Sequence, residues 1–276
     1  MSRQSAFRGK VILITGASSG IGEELAEQLA QQGALLTLAA RRADVLARLG
    51  DRIEATGSRP LVIECDVTRD GDVERAVSET VRERGRLDVA FANAGFGVAG
   101  LFAKLSLEDY RRQFETNVFG VLRTLYAALP EVKRTRGALV ITGSIAGWVA
   151  TPGTSAYAMS KFAVRALANS ITPELAQVGV ALTLLSPGFV ESNIRRVDNR
   201  GTLHPDAPEP LPGWLVMSRR KAVQQILRAV ARRRREAIIT GHGRILIAME
   251  RYAPWLIRAM GRRMAARGGG YRREPS

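Results

Sequence analysis

The 276-residue chain is predicted to fold as a single doubly wound α/β domain, a parallel sheet of about seven strands with helices on both faces. Three observations predict this. Short β-branched and leucine-rich runs alternate along residues 10–241 with apolar-periodic segments of crossover-helix length. The first run opens directly into a glycine-rich turn and a helix. Polar residues with chemical capacity follow several of the strands. Right-handed crossovers gather such residues on the C-terminal edge of the sheet, where folds of this class bind ligands.

The first element is Val11 to Ile14, too short for a helix and apolar throughout, as expected of a buried parallel strand. Thr15-Gly16-Ala17-Ser18-Ser19-Gly20-Ile21-Gly22 then turns the chain into a helix over Glu23 to Gln32, with Ile21, Leu25 and Leu29 on one side. Unpaired N–H groups and the positive end of the helix dipole make such a turn an anion site. Gly16 permits the tight turn, Gly20 lets backbone approach a pyrophosphate, and Gly22 lets the helix pack close to the strand. The spacing Gly-x3-Gly-x-Gly departs from Gly-x-Gly-x-x-Gly, and no Gly-Lys-Ser/Thr follows. Taken alone, the turn is equally compatible with a tight βα connection that binds nothing.

Further strands are expected at Ala34 to Ala39, Pro60 to Glu64, Leu87 to Ala92, Gly137 to Thr142, Ala181 to Leu185 and Glu236 to Thr240. The intervening helices are expected from Arg41-Arg42 to Ala55, Asp70 to Arg84, Ser106 through Asn117 to Leu129, Thr154 to Val178, and Ser218 to Arg235. Ser186 to Met217 is irregular and holds Pro205, Pro208, Pro210 and Pro212. A loop of that length inside a compact domain reads as a lid over substrate, here about residues 189–217. Residues 1–9 read as an N-terminal tail without the apolar segment of a secretory signal.

Cys65 is the single cysteine, so no internal disulfide forms; a cytoplasmic setting and an inert buried thiol are expected. No apolar run reaches the ~18 residues of a membrane-spanning helix. Charge is unevenly distributed. The chain carries 41 Lys and Arg against 26 Asp and Glu, net +15, and residues 219–276 alone hold 16 basic and 3 acidic residues, net +13. Such a tail points to an anionic partner.

Tyr157-Ala-Met-Ser-Lys161 places Tyr157 and Lys161 at i and i+4, on one helix face. A tyrosine exchanges protons usefully near pH 7 only if its pKa falls about three units, about 4 kcal/mol, which an adjacent ammonium in a poorly solvated cleft can supply. Ser144, at the end of the fifth strand, adds a hydroxyl that can hold a substrate oxygen. A solvated helix pair and a turn serine are the plain alternatives to each. Phe96, Gly97, Ile145, Trp148, Phe189 and Val190 flank these polar residues and suggest an apolar pocket, although core packing explains such residues equally well. His204 and His242 lack partners at metal-ligand spacing; both are expected at the surface, with no metal site.

Thr15-Gly-Ala-Ser-Ser-Gly-Ile-Gly22, Asn93-Ala-Gly95, Asn117, Ser144, Tyr157-x3-Lys161 and Pro187-Gly188 occur together and in order. Over roughly residues 10–241 the chain closely resembles the short-chain dehydrogenase/reductase family. The resemblance implies a Rossmann-type domain, a nicotinamide dinucleotide, and a Ser-Tyr-Lys site with a supporting Asn. Tyr157 would be the general acid for carbonyl reduction or the base for alcohol oxidation. Lys161 would lower its pKa and hold the nicotinamide ribose, Ser144 would orient the substrate oxygen, and Asn117 would position a water linking Lys161 to solvent. The cofactor would lie against Gly16, Ser18, Ser19, Gly20, Ile21, Gly22, Asp66, Val67, Asn93, Ala94, Gly95, Tyr157, Lys161, Pro187, Gly188, Val190 and Ser192. Two departures are mild: Ala92 precedes Asn93 where a second Asn is common, and Ser192 stands where a Thr often follows Pro-Gly. A homo-oligomer, dimer or tetramer, is also implied, with the helices from Ser106 and Thr154 similar to the family's dimer-forming pair.

Cofactor choice follows from charge. The acidic residue that would bind an adenosine ribose diol at the end of the second strand is absent; Ala40 stands there, followed by Arg41 and Arg42. A guanidinium pairs bidentately with a 2′-phosphate that a carboxylate would repel. NADP(H) is therefore expected. Both arginines could instead be solvated at a helix start, but arginine is disfavoured there by the dipole.

In the C-terminal extension, residues 242–276, Arg244, Arg251, Arg258 and Arg262 share one face of a predicted helix over Ile245 to Ala265, bent at Pro254. A basic amphipathic helix of this kind can lie on an anionic membrane surface. It can equally pack over the substrate cleft or a subunit interface with its arginines in solvent. No nucleic-acid-reading motif is present. Arg267 onward, with Gly268-Gly269-Gly270, is expected to be a disordered end. The expected activity is NADP(H)-dependent interconversion of an apolar or lipid-like ketone or aldehyde with its alcohol, as a small-molecule substrate. The alternative is a non-catalytic NADP-binding module whose basic tail recruits a partner or membrane. The complete Ser-Tyr-Lys-Asn set argues against that alternative.

Overall fold

The computed structural model describes residues 6–192, 194, 197–199, 202, 204, 206 and 211–266. The expected disordered end after Arg267 lies outside the described residues, as does part of the expected lid. Seven strands, β1 (Val11–Thr15), β2 (Leu35–Ala40), β3 (Leu61–Glu64), β4 (Val89–Ala92), β5 (Ala138–Thr142), β6 (Ala181–Ser186) and β7 (Glu236–Ile238), pair in the order β3-β2-β1-β4-β5-β6-β7, all parallel. The direction of winding reverses between β1 and β4, which opens a crevice beyond their C-terminal ends.

Because side chains alternate across a strand, each apolar run feeds two cores at once. Ile12, Ile14, Leu36, Leu38 and Phe91 pack with helices α1 (Gly20–Gln31), α2 (Ala43–Glu54) and α7 (Arg219–Ala231) on one face. Val11, Leu13, Ala90, Leu139 and Ile141 pack with α3 (Asp72–Arg84), α5 (Gly120–Arg134) and α6 (Ser155–Gln177) on the other. At the N-terminal edge, the nearly inaccessible carboxylate of Asp88 accepts from the Val11 amide and pairs with Lys10 at 3.1 Å and Arg86 at 2.6 Å.

The helix expected from Ser106 begins with a reciprocal cap between Ser106 and Asp109, as α4 (Leu107–Phe114). It is not one continuous α-helix. A π-helical turn over Glu115–Phe119 separates it from α5. α5 also runs past the expected stop at Leu129 to Arg134 with Pro130 inside it. Helix α7 ends at Ala231 rather than near Arg235, because Arg233 takes a left-handed φ of 49° that ends the helical turn. The C-terminal helix is two helices, α8 (Gly241–Tyr252) and α9 (Pro254–Ala266), broken at Ala253–Pro254. α8 packs on the domain: Ile247 is buried against Ile145 and Val149 in a small third core. α9 has no buried residue. No described helix is long and apolar enough to cross a membrane.

Candidate active site

A cleft of about 610 Å³ runs along the C-terminal edge of the sheet. The turn after β1 forms its floor. Gly16 has φ +67°, and a Cβ there would stand 2.6 Å from the Ala94 backbone; one on Gly22 would overlap the Gly16 carbonyl oxygen. Only glycine permits this closeness of turn, helix and the loop after β4. The Ser19 side chain does not cap α1, and Ser18, Ser19, Gly20, Ile21 and Gly22 all line the cleft. The first-turn amides of α1 are thus available to an anionic ligand.

Asn93 clamps the neighbouring strand ends. Its Nδ2 donates to the Thr15 and Gly16 carbonyls at 3.0 and 3.3 Å, while its Oδ1 accepts from Thr142 Oγ1 at 3.2 Å. Its own amide and that of Ala94 donate to Thr15 Oγ1. Asn93 therefore shapes the cleft as well as lining it. Beyond β2, Ala40, Arg41 and Arg42 all line the cleft, both arginines are exposed, and Arg42 Nη2 donates to Ser18 Oγ at 3.1 Å. Asp66 and Val67 line the cleft beside them; Asp66 Oδ1 accepts from the Thr68 amide and hydroxyl. Arg69, which sequence reasoning missed, lines the same region. Cys65 is buried, its thiol pushed up to about 12 by burial and then by the Asp72 charge, which leaves it inert.

Ser144, Tyr157 and Lys161 line the cleft together. Lys161 is buried; Nζ donates to the Thr142 carbonyl at 2.8 Å and lies 5.7 Å from the Tyr157 ring centroid. Burial lowers its pKa to about 8. Tyr157 is half-buried. Ser144 Oγ accepts from the Ala146 amide at 3.1 Å, which fixes it on a 3₁₀ turn directly after β5.

Asn117 sits at the π-helical turn, fully buried. Its Oδ1 accepts from the Phe96 amide, and its Nδ2 donates to the Phe96 carbonyl and Ser160 Oγ. Ser160 Oγ in turn donates to the Tyr157 carbonyl. Asn117 thus ties the loop after β4 to the helix that carries Tyr157 and Lys161. A π-turn re-aims one side chain inward without ending the helix, and such turns recur at functional sites.

Past β6, Pro187, Gly188, Val190 and Ser192 line the cleft, and the described Ile194 and Val197 join them. The apolar residues flanking the polar set divide. Phe96 and Val190 line the cleft, and Gly97 lies against the Tyr157 ring. Ile145 belongs to the third core, Trp148 Nε1 donates to Ser186 Oγ beneath the Arg165 guanidinium, and Phe189 stacks on His242 at 5.1 Å. Packing accounts for those three. His242 is likewise not a surface residue: it is half-buried and Nε2 accepts from the Phe189 amide at 2.9 Å. His204 is half-exposed beside Asp198.

A glycine turn open to an anion, a buried lysine beside a tyrosine and serine, and one cleft joining them define a nucleotide-binding oxidoreductase site. Comparison with known proteins agrees. A sequence model of the short chain dehydrogenase family matches residues 10–202, and the chain belongs to the short-chain dehydrogenase/reductase family. It is 38% identical over 209 residues to an Arabidopsis thaliana protein named 11-beta-hydroxysteroid dehydrogenase-like 4A, covering 75% of this chain and 67% of that one. A Pinus massoniana 11-beta-hydroxysteroid dehydrogenase is 35% identical over 69% of this chain, which spans 54% of that relative's length. A short-chain dehydrogenase/reductase from Burkholderia phymatum, solved in complex with NAD, superposes with a TM-score of 0.80 at 27% identity, over 91% of this chain and 96% of that one. An alcohol dehydrogenase from Thermococcus sibiricus, complexed with 5-hydroxy-NADP, superposes with a TM-score of 0.71 at 31% identity, over 80% and 89%.

Proposed function

We propose that this oxidoreductase is specific for NADP(H) and reduces an apolar, steroid- or lipid-like ketone, or oxidises the matching alcohol. What supports the cofactor is the cleft beyond β2 and β3: no carboxylate at Ala40, and Arg41, Arg42 and Arg69 around it. What supports the substrate class is the apolar wall of Phe96, Val190, Ile194 and Val197 near Tyr157, together with the names of the plant relatives. The catalytic domain is taken as residues 10–241, with residues 189–217 closing over substrate.

The cofactor, when bound, supplies or accepts the reducing equivalent. Tyr157 gives its phenolic proton to the carbonyl oxygen in reduction and takes it back in oxidation. Lys161 holds a positive charge beside the phenol and favours its ionised form. Ser144 orients the substrate oxygen, and Asn117 holds the loop and helix that frame it and would position a water linking Lys161 to solvent.

The test is calorimetric titration with NADPH and NADH. One charge-assisted contact of about 1.5–3 kcal/mol predicts that Arg41→Ala weakens NADPH by about tenfold to 150-fold and leaves NADH unchanged. Equal wild-type affinity for both would refute the cofactor assignment. Binding of neither would favour the non-catalytic module.

Two surfaces extend the proposal. Leu107, Phe119, Tyr126, Met159 and Phe162 are exposed along α4 to α6, consistent with the family's homodimer face. Trp255, Met260 and Met264 on α9 are exposed among Arg258, Arg262 and Arg263, as a helix resting on anionic lipid would be. Light scattering with and without anionic vesicles checks both: a monomer refutes the first, no vesicle binding the second.

A further inference from the structure

We infer that His242, on the C-terminal helix α8 and beyond the family-matched segment, is a positioning residue for the cofactor wall formed by Pro187, Gly188 and Val190. This deepens the proposed function and rests on it for the identity of the ligand.

The chain leaves β6 through Pro187-Gly188-Phe189, and no strand neighbour satisfies the Phe189 amide. His242 does so, with Nε2 accepting at 2.9 Å. That bond requires Nε2 to be unprotonated and places the ring proton on Nδ1. The ring also stacks on Phe189 at 5.1 Å between centroids and 19° between planes. Gly188 fits beneath: a Cβ there would overlap both Thr240 Oγ1 and His242 Nε2. Thr240 is fully buried and caps α8 by accepting from the Gly243 amide. The cap therefore fixes the helix, the helix fixes the imidazole, and the imidazole fixes the backbone of the wall.

Opposite this contact the same segment is tied to the catalytic side. The Pro187 carbonyl accepts from the Ile145 amide at 2.9 Å, one residue after Ser144. On its far end Phe189 and Glu191 pair with Met217, across the irregular segment. His242 is thus the only one of these ties made by a side chain of the C-terminal extension among the described bonds. The cofactor site then extends past residue 241, and α8 belongs to the catalytic unit.

His242→Phe keeps the ring and its stacking but removes the acceptor, so it isolates the hydrogen bond. His242→Gln restores an acceptor. NADPH affinity by titration, NADPH KM against kcat, and hydrogen exchange of a peptide containing Phe189 are measured on the full chain. His242→Phe should weaken NADPH about five- to twentyfold, as expected when a part-buried amide loses its partner, with the effect on KM rather than kcat. His242→Gln should recover most of the affinity. The Phe189 peptide should exchange faster in His242→Phe than in wild type or His242→Gln. Wild-type affinity and unchanged exchange in His242→Phe would overturn the inference. If the wild type binds no NADPH, the proposed function fails, and the exchange result alone still decides whether His242 holds the wall.

Discussion

At the N-terminal edge of the sheet the buried charge is Asp88, and it meets Lys10, Arg86 and the Val11 amide. At the C-terminal edge the buried charge is Lys161, and its bond in the structure is to the neutral Thr142 carbonyl. The pKa directions follow. Burial pushes the Asp88 carboxyl up, but the Val11 amide, Arg86 and Lys10 outweigh it and hold it below the usual carboxylate range. No opposite charge offsets burial at Lys161, and its pKa falls to about 8. One edge spends its charge on holding strands together. The other keeps a charge unneutralised beside a phenol, where it costs stability and where the proposed mechanism uses it.

The sharpest way to break this contrast is Tyr157→Phe. It should cut turnover of NADPH with a ketosteroid probe by about 10³-fold, the scale of a lost general acid, while leaving thermal stability nearly unchanged. Undiminished turnover would remove the chemical meaning of the Lys161 environment. Asp88→Asn should do the reverse. Loss of a buried, doubly paired carboxylate should cost about 2–4 kcal/mol in urea unfolding at pH 7, with kcat unaffected. Since its folded pKa is depressed, the wild-type advantage is present above about pH 4 and is lost as pH falls through the lower folded value. An Asp88→Asn protein of full stability would make the two edges alike.

The smallest effect has the opposite sign. The Lys161 pKa falls from 10.5 to about 8, so wild-type stability rises as pH increases from 8 to 10.5, where the folded amine is neutral and the unfolded one still binds a proton. Below pH 8 both states are charged and the penalty is complete. Lys161→Met should therefore stabilise the protein by about 1–3 kcal/mol at pH 7, a gain that vanishes near pH 10.5, while abolishing most activity. A destabilised Lys161→Met at pH 7 would show that the Thr142 hydrogen bond outweighs desolvation.

Much of the candidate site's convergence on one cleft was legible beforehand because its residues report through their own element. Tyr157 and Lys161 announce a shared helix face by i, i+4 spacing, and the glycine turn announces itself between a strand and a helix. Arg69 was missed because it lies five residues past the end of β3, whereas Arg41 directly follows β2. For Trp148 and Phe189 the sequence left pocket wall and core packing open, because apolar character next to a polar residue does not say which way a side chain turns; the structure puts both in packing contacts. The same holds for the tail. Its heptad-spaced arginines were visible, but Pro254 divides them between α8, which buries Ile247 in the third core, and α9, which only half-buries Ile257 against it.

By itself the sequence determined the strand and helix alternation, and with it the seven-stranded parallel sheet. It also determined the order of chemical residues along one edge and the missing carboxylate at Ala40. These depend on periodicity, turn chemistry and residue type, all of which are local. Only the tertiary structure decided that Asn117 stands on a π-turn and binds the Phe96 backbone, that Lys161 is buried against a single carbonyl, and that His242 holds the Phe189 amide from 53 positions away. Each depends on which backbone group packing leaves without a partner, and no local pattern encodes that.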